Sequence, residues 1–119
     1  MACNFTPLIS QEQFHIRSIP GDKSISHRAI IIASLADNKS QFTGFLFSED
    51  CLNTLQIFQQ LGVSIVIDEN TNLVTIHGVG LTGLQASDSP LDVGNSGTGI
   101  RLITGILAMQ QFESSISGD

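Results

Sequence analysis

From Gln13 to Ile19 apolar and polar positions alternate through Phe14 and Ile16, until Pro20-Gly21 interrupts them. A period of two predicts a strand. Leu8-Ile9, after Pro7, predicts a shorter strand ahead of it. From Ser24 to Ala36 the pattern changes: Ala29, Ile30, Ile31, Ile32, Ala33 and Leu35 leave almost no polar face. Such a segment predicts a helix buried on most sides, stopped by Asp37-Asn38. Gln41 to Leu46, with Phe42, Thr43 and Phe45, predicts a strand. Ser48-Glu49-Asp50 has the form of a helix start, a hydroxyl cap followed by acids. That helix runs to Leu61, with Leu52, Leu55, Ile57, Phe58 and Leu61 on its core side and Gly62 as its cap. Val63 to Ile67 and Leu73 to His77, joined by a turn at Glu69 to Asn72, predict a hairpin. Gly78, Gly80 and Gly83, then Ser87 to Pro90, mark looping connections. Leu91 to Val93 reads as a strand end, the next segment as a helix to about Met109, and Ser114 to Ser117 as the start of another strand.

These elements predict an α+β fold, with helices packed on a mixed β-sheet. The chain has 119 residues, 41% of them hydrophobic and 13% charged, which suits one small ordered domain with a core. No apolar run reaches membrane-spanning length, and Met1-Ala2-Cys3-Asn4 lacks a secretory pattern. Cys3 and Cys51 are too few for a disulfide framework, so a reduced, cytoplasmic protein is expected. A net charge of −6 speaks against a nucleic-acid surface. The few bases are unevenly placed: Lys23, Arg28 and Arg101 lie in two glycine-flanked segments. An acidic chain that gathers its cations at helix starts suggests a local anion site.

Pro20-Gly21-Asp22-Lys23-Ser24-Ile25-Ser26-His27-Arg28 is the first segment. The opening turn of a helix presents free N–H groups and the positive end of the dipole. Lys23 adds a point charge, Ser24 a hydroxyl and Arg28 a planar fork, with Ser24 and Arg28 on one helix face. A helix start with solvated charges fits the same residues. Leu91-Asp92-Val93-Gly94-Asn95-Ser96-Gly97-Thr98-Gly99-Ile100-Arg101 repeats the logic, which suggests a weak internal repeat. There Gly97, having no Cβ, would let an anion approach its N–H; a tight turn capped by Ser96 or Thr98 is the plainer reading. His27 is expected to be a partly buried helical residue rather than an acid or base, and Asp22 either an orienter of Lys23 or a turn residue. Glu49-Asp50 reads as a helix-start charge pair, and Phe42, Phe45 and Phe47 as core. The Walker A spacing is absent, and no metal spacing links His15 or His77 to the cysteines.

Both segments closely resemble the enolpyruvyl transferases, and specifically the branch whose acceptor is shikimate-3-phosphate. Ser48-Glu49-Asp50, Gln60-Leu61-Gly62-Val63 and the closing Ser117-Gly118-Asp119 are similar to that family as well. The resemblance implies the opening portion of an inverse α/β barrel-like fold. It implies transfer of the enolpyruvyl group of phosphoenolpyruvate to the 5-hydroxyl of shikimate-3-phosphate, releasing phosphate, on the way to chorismate and the aromatic amino acids. No metal or organic cofactor is implied. Lys23 would be the catalytic residue and contact both substrates, Ser24 and Arg28 would hold shikimate-3-phosphate, and Gly97 would present its backbone to phosphoenolpyruvate. Asn95, Thr98 and Arg101 would shape that wall. Leu102 departs from the proline of many members. Members of the family are two-domain proteins several times longer, so residues 1–119 are expected to be an N-terminal part. Residues 1–19 would then belong in part to the second domain. The whole enzyme is expected to be a monomer, while the 119-residue chain is expected to be inactive and to self-associate. A UDP-N-acetylglucosamine enolpyruvyl transferase and a non-catalytic anion-binding or assembly fragment are the alternatives.

Overall fold

The computed structural model describes residues 13–16 and 22–119. The expected strand at Leu8-Ile9, the Pro20-Gly21 break and residues 17–19 of the first strand lie outside the described residues. In chain order the elements are β1 (Gln13–Ile16), α1 (Lys23–Leu35), β2 (Lys39–Phe42), α2 (Glu49–Gln60), β3 (Ser64–Asp68), β4 (Leu73–His77), β5 (Leu91–Asp92), α3 (Gly97–Leu107) and β6 (Ile116–Ser117).

Two sheets result. The larger has the order β1-β2-β4-β3, and the smaller pairs β5 with β6. β1 and β2 are parallel, as a helical crossover through α1 requires. β4 is antiparallel to both β2 and β3, and the β3–β4 hairpin is the one the alternating pattern predicts. The sheet is therefore mixed. Its inner face carries Ser40 and Phe42 of β2, Ile65 of β3, and Val74 and Ile76 of β4, all buried. Its outer face carries Gln41 and Thr75, whose side chains share a hydrogen bond of 3.3 Å, and the exposed Val66. Ile30 of α1 and Leu55, Ile57 and Phe58 of α2 complete the core.

Three expectations need correction. The strand expected over Gln41 to Leu46 stops at Phe42, because Gly44 turns the chain with φ +72° and the Leu46 N–H goes to Ser26 Oγ, not to a strand. Leu52, expected on the core side of α2, is 36% exposed, at the edge of the buried face that Cys51, Thr54, Leu55 and Phe58 make. Phe42 and Phe45 are core, but Phe47 stands at the rim, edge-on to Phe45. α1 is buried on most sides, as its pattern predicts, with Arg28 and Ile32 its exposed positions after Lys23, and α2 apart from Leu52 follows its pattern. Ser48 caps it, and Gly62 lies just past Leu61 with φ +94°, the left-handed turn that glycine permits.

Candidate functional site

Asp22, not a hydroxyl residue, caps α1: its Oδ1 accepts the Ile25 N–H at 2.9 Å. Lys23 is therefore the first helical residue. A cation there opposes the helix dipole and calls for an anionic neighbour. Asp50 supplies it, with Oδ2 3.1 Å from Lys23 Nζ. Asp50 itself lies in the first turn of α2, where the dipole favours a carboxylate. The Cys51 thiol donates to the Lys23 carbonyl at 3.7 Å. One turn further on, His27 Nδ1 lies 2.8 Å from Thr54 Oγ1. Lys23–Asp50 and His27–Thr54 both span 27 residues, so α1 and α2 run side by side with their turns in step.

His27 is fully buried, where a partly buried residue was expected. Thr54 Oγ1 donates to the Asp50 carbonyl at 3.3 Å, which assigns the ring hydrogen to Nδ1 and makes His27 the donor to Thr54. Nε2 is then a bare acceptor, without a hydrogen-bond partner among the described residues. Burial pushes the imidazole pKa down from its ordinary 6.5; the Asp50 charge opposes this and Lys23 adds to it. Burial also raises the pKa of the Cys51 thiol, so this cysteine is no ready nucleophile.

α3 opens in a related way. The Asp92 carboxylate accepts the Gly94 N–H at 2.8 Å, and Gly94 turns the chain with φ +60°. Ser96 caps the helix through the Gly99 N–H at 2.9 Å, which selects Ser96 over Thr98 as the cap. Arg101 folds back along its own helix, Nε donating to the Gly97 carbonyl at 3.0 Å. The three glycines of the segment have different surroundings. A Cβ on Gly94 would collide with Asn53 Nδ2 of α2. One on Gly99 would meet Ser96 Oγ at 3.0 Å and His27 Cε1 at 3.8 Å. One on Gly97 would meet, among the described residues, only Arg101 Nη2, at 3.9 Å. The contacts at Asn53 and His27 set the start of α3 beside the second turns of α1 and α2. Three helix N-termini thus open at one end of the molecule.

A cleft of about 340 Å³ lies at the start of α3, lined by Gly94, Asn95, Ser96, Gly97, Ile100 and the tail from Ile116 to Asp119. Of the expected site residues, Asn95 and Gly97 line it; Thr98, Arg101, Lys23, Ser24 and Arg28 do not. Lys23 faces α2. Ser24 and Arg28 lie one residue round the helix from Lys23 and His27, half-buried and exposed respectively, and Arg28 forms no ion pair with the described residues. Sequence reasoning missed Asp50 as the partner of Lys23. Nothing local signals it, because the two meet only once α1 and α2 pack. Among the described residues no group of three or more His, Cys, Asp and Glu gathers to hold a metal ion, and no helix is long and apolar enough to cross a membrane.

Comparison with known proteins places the chain in a family. A protein-family model described as EPSP synthase (3-phosphoshikimate 1-carboxyvinyltransferase) matches residues 13–119. A 3-phosphoshikimate 1-carboxyvinyltransferase of Ruthia magnifica is 56% identical over 101 residues, covering 85% of this chain and 23% of that protein. The enzyme of the same name from Streptococcus suis is 54% identical over the same shares. Among solved structures, EPSP synthase from Acinetobacter baumannii superposes with a TM-score of 0.79 at 48% identity, over 91% of this chain and 24% of that one. The chain spans about a quarter of the length of these relatives. On the family match over residues 13–119 and on these identities, the chain belongs to the EPSP synthase family.

Proposed function

We propose that this chain supplies the opening part of a 3-phosphoshikimate 1-carboxyvinyltransferase. The reaction would move the enolpyruvyl group of phosphoenolpyruvate onto the 5-hydroxyl of shikimate-3-phosphate and release phosphate. The observation that carries this reading is the convergence of three helix N-termini, with Lys23 at the first and Arg101 on the third, in a chain of net charge −6. Both substrates carry a phosphate and a carboxylate, which such an end attracts. Lys23 would lie between the two substrates, and Ser24 and Arg28 would hold shikimate-3-phosphate. The open space over Gly97 would admit phosphoenolpyruvate, with Asn95, Thr98 and Arg101 around it. Catalysis would rest on orientation and on stabilising developing charge, without a metal or organic cofactor.

Later basic residues and a proton-accepting carboxylate would come from the three-quarters of the relatives' length that this chain does not match. Residues 1–119 would form an N-terminal part, and residues 1–19 would lie partly with a second domain. The setting would be cytoplasmic, and the whole enzyme a monomer. UDP-N-acetylglucosamine as acceptor finds no support in the relatives' names. The test is a titration of the uniformly labelled 119-residue chain with shikimate-3-phosphate, followed by two-dimensional amide NMR. Saturable shifts centred on Lys23, Ser24 and Arg28 are expected. A well-dispersed spectrum that does not move would sink the reading. Shifts produced equally by UDP-N-acetylglucosamine would favour the plain anion-binding alternative.

A further inference from the structure

We propose that Asp50 is a positioning residue for Lys23, fixing the ammonium at the shared end of the helices so that two of its three hydrogens stay available to an anion. The inference rests on the reading above, in which Lys23 meets the substrates. Lys23 is half exposed on its side chain (48%), and a four-carbon stem there would sample many rotamers without an anchor. Asp50 gives that anchor at 3.1 Å and is the less exposed partner, at 23%. It is itself held on a capped helix turn, with Thr54 bonded to its carbonyl. The same turn holds the Lys23 backbone, through Cys51 Sγ. Lys23 is thus fixed at both ends by one turn of α2.

A carboxylate so near an anion site would by charge alone repel the ligand. Electrostatics and positioning therefore predict opposite signs for its removal. If Asp50 were only a counter-charge, Asp50→Asn would tighten anion binding. If it positions Lys23, the same change weakens binding, although the chain loses a negative charge.

Lys23 and Lys39 are the only lysines of the sequence, so ¹⁵N-lysine labelling of the 119-residue chain yields two assignable ammonium signals. Lys23 is expected to give a restricted signal, which Asp50→Asn converts to that of a free lysine and Asp50→Glu partly restores. Glu49→Gln, on the same turn, should leave it unchanged. Titrations with shikimate-3-phosphate and, separately, with inorganic phosphate should show binding weakened roughly five-fold in Asp50→Asn, the scale of a partly exposed ion pair. Equal or tighter binding in Asp50→Asn overturns the proposal. So does a Lys23 signal indifferent to Asp50→Asn in a chain that still binds shikimate-3-phosphate, and that outcome leaves the substrate reading intact. A wild-type chain that holds Lys23 on Asp50 yet binds neither ligand overturns both, since the ion pair would then be structural alone.

Discussion

His27 is a titratable side chain with no access to water, placed where α1, α2 and the first turn of α3 meet. The charges facing it are Asp50 from α2 and Lys23 from its own helix; from α3 it meets the uncharged Gly99 beside Ser96. Burial lowers its pKa in the fold, so the folded chain keeps a neutral ring at pH values where the unfolded chain already binds a proton. Stability from this group is fully present above the unfolded value of 6.5, and is lost as pH falls from there through the lowered folded value. The slope can reach about 1.4 kcal/mol per pH unit for one proton. Urea unfolding between pH 7.5 and 5 should therefore show the wild-type chain losing stability more steeply than His27→Gln, which cannot titrate. Parallel curves for the two proteins would mean that His27 takes up its proton in the fold as readily as in the unfolded chain.

The opening of α3 separates what the fold needs from what a ligand would need. Gly94 is fixed by its positive φ and by Asn53, and Gly99 by its closeness to the Ser96 cap. Gly97 has ordinary space around it, so the helix itself does not require glycine there. Gly97→Ala should leave unfolding free energy unchanged or raise it, by up to about 1 kcal/mol from helix propensity. Gly99→Ala crowds Ser96 Oγ and should lower it by about 1 kcal/mol, the scale of a lost cap. Chemical denaturation of both variants decides this, and equal losses would show that Gly97 is structural. Glycine spacing alone could not sort these roles, because each depends on a different neighbour. Elements set by local chemistry were readable from sequence: the hairpin from its alternation, α2 from Ser48 and Gly62, and α3 from its glycine turn and a hydroxyl cap, which the structure assigns to Ser96 rather than Thr98. Strand order was not, since β4 enters between β2 and β3 through pairings with no local signature. The Lys23–Asp50 and His27–Thr54 contacts were hidden for the same reason, each joining residues that meet only when two helices pack. At α1 the hydroxyl residues drew attention from Asp22, whose carboxylate takes the cap and moves the helix start to Lys23.

At the scale of the molecule, the described residues hold two strand–helix–strand units of the same design. β1-α1-β2 and β5-α3-β6 each pair parallel strands across a capped helix with a basic residue near its start. The first unit is extended by α2, β3 and β4 into a four-stranded sheet, while the second remains a two-stranded ladder. Charge shows why such a chain should not turn over. Two phosphates and two carboxylates would bring roughly five to six negative charges to the site. Against them stand Lys23, Arg28 and Arg101, with Lys23 already paired to Asp50, in a chain of net charge −6. About half of the ligand charge would stay uncompensated. One substrate can still be held at one helix start, since a single phosphate needs only a few donors. The 119-residue chain is therefore expected to bind shikimate-3-phosphate weakly and to release no phosphate from phosphoenolpyruvate above the uncatalysed background. Its exposed Ile32, Val66, Leu81 and Met109 should also make it elute from size-exclusion columns above monomer size at high concentration. A continuous phosphate-release assay with both substrates, run on the eluted peak, is the decisive measurement. Turnover at an ordinary enzymatic rate would mean that three cations and three helix N-termini suffice for the chemistry, or that self-association brings in the missing charge. Assaying across a dilution series separates those two, because only the second loses specific activity as the chain is diluted.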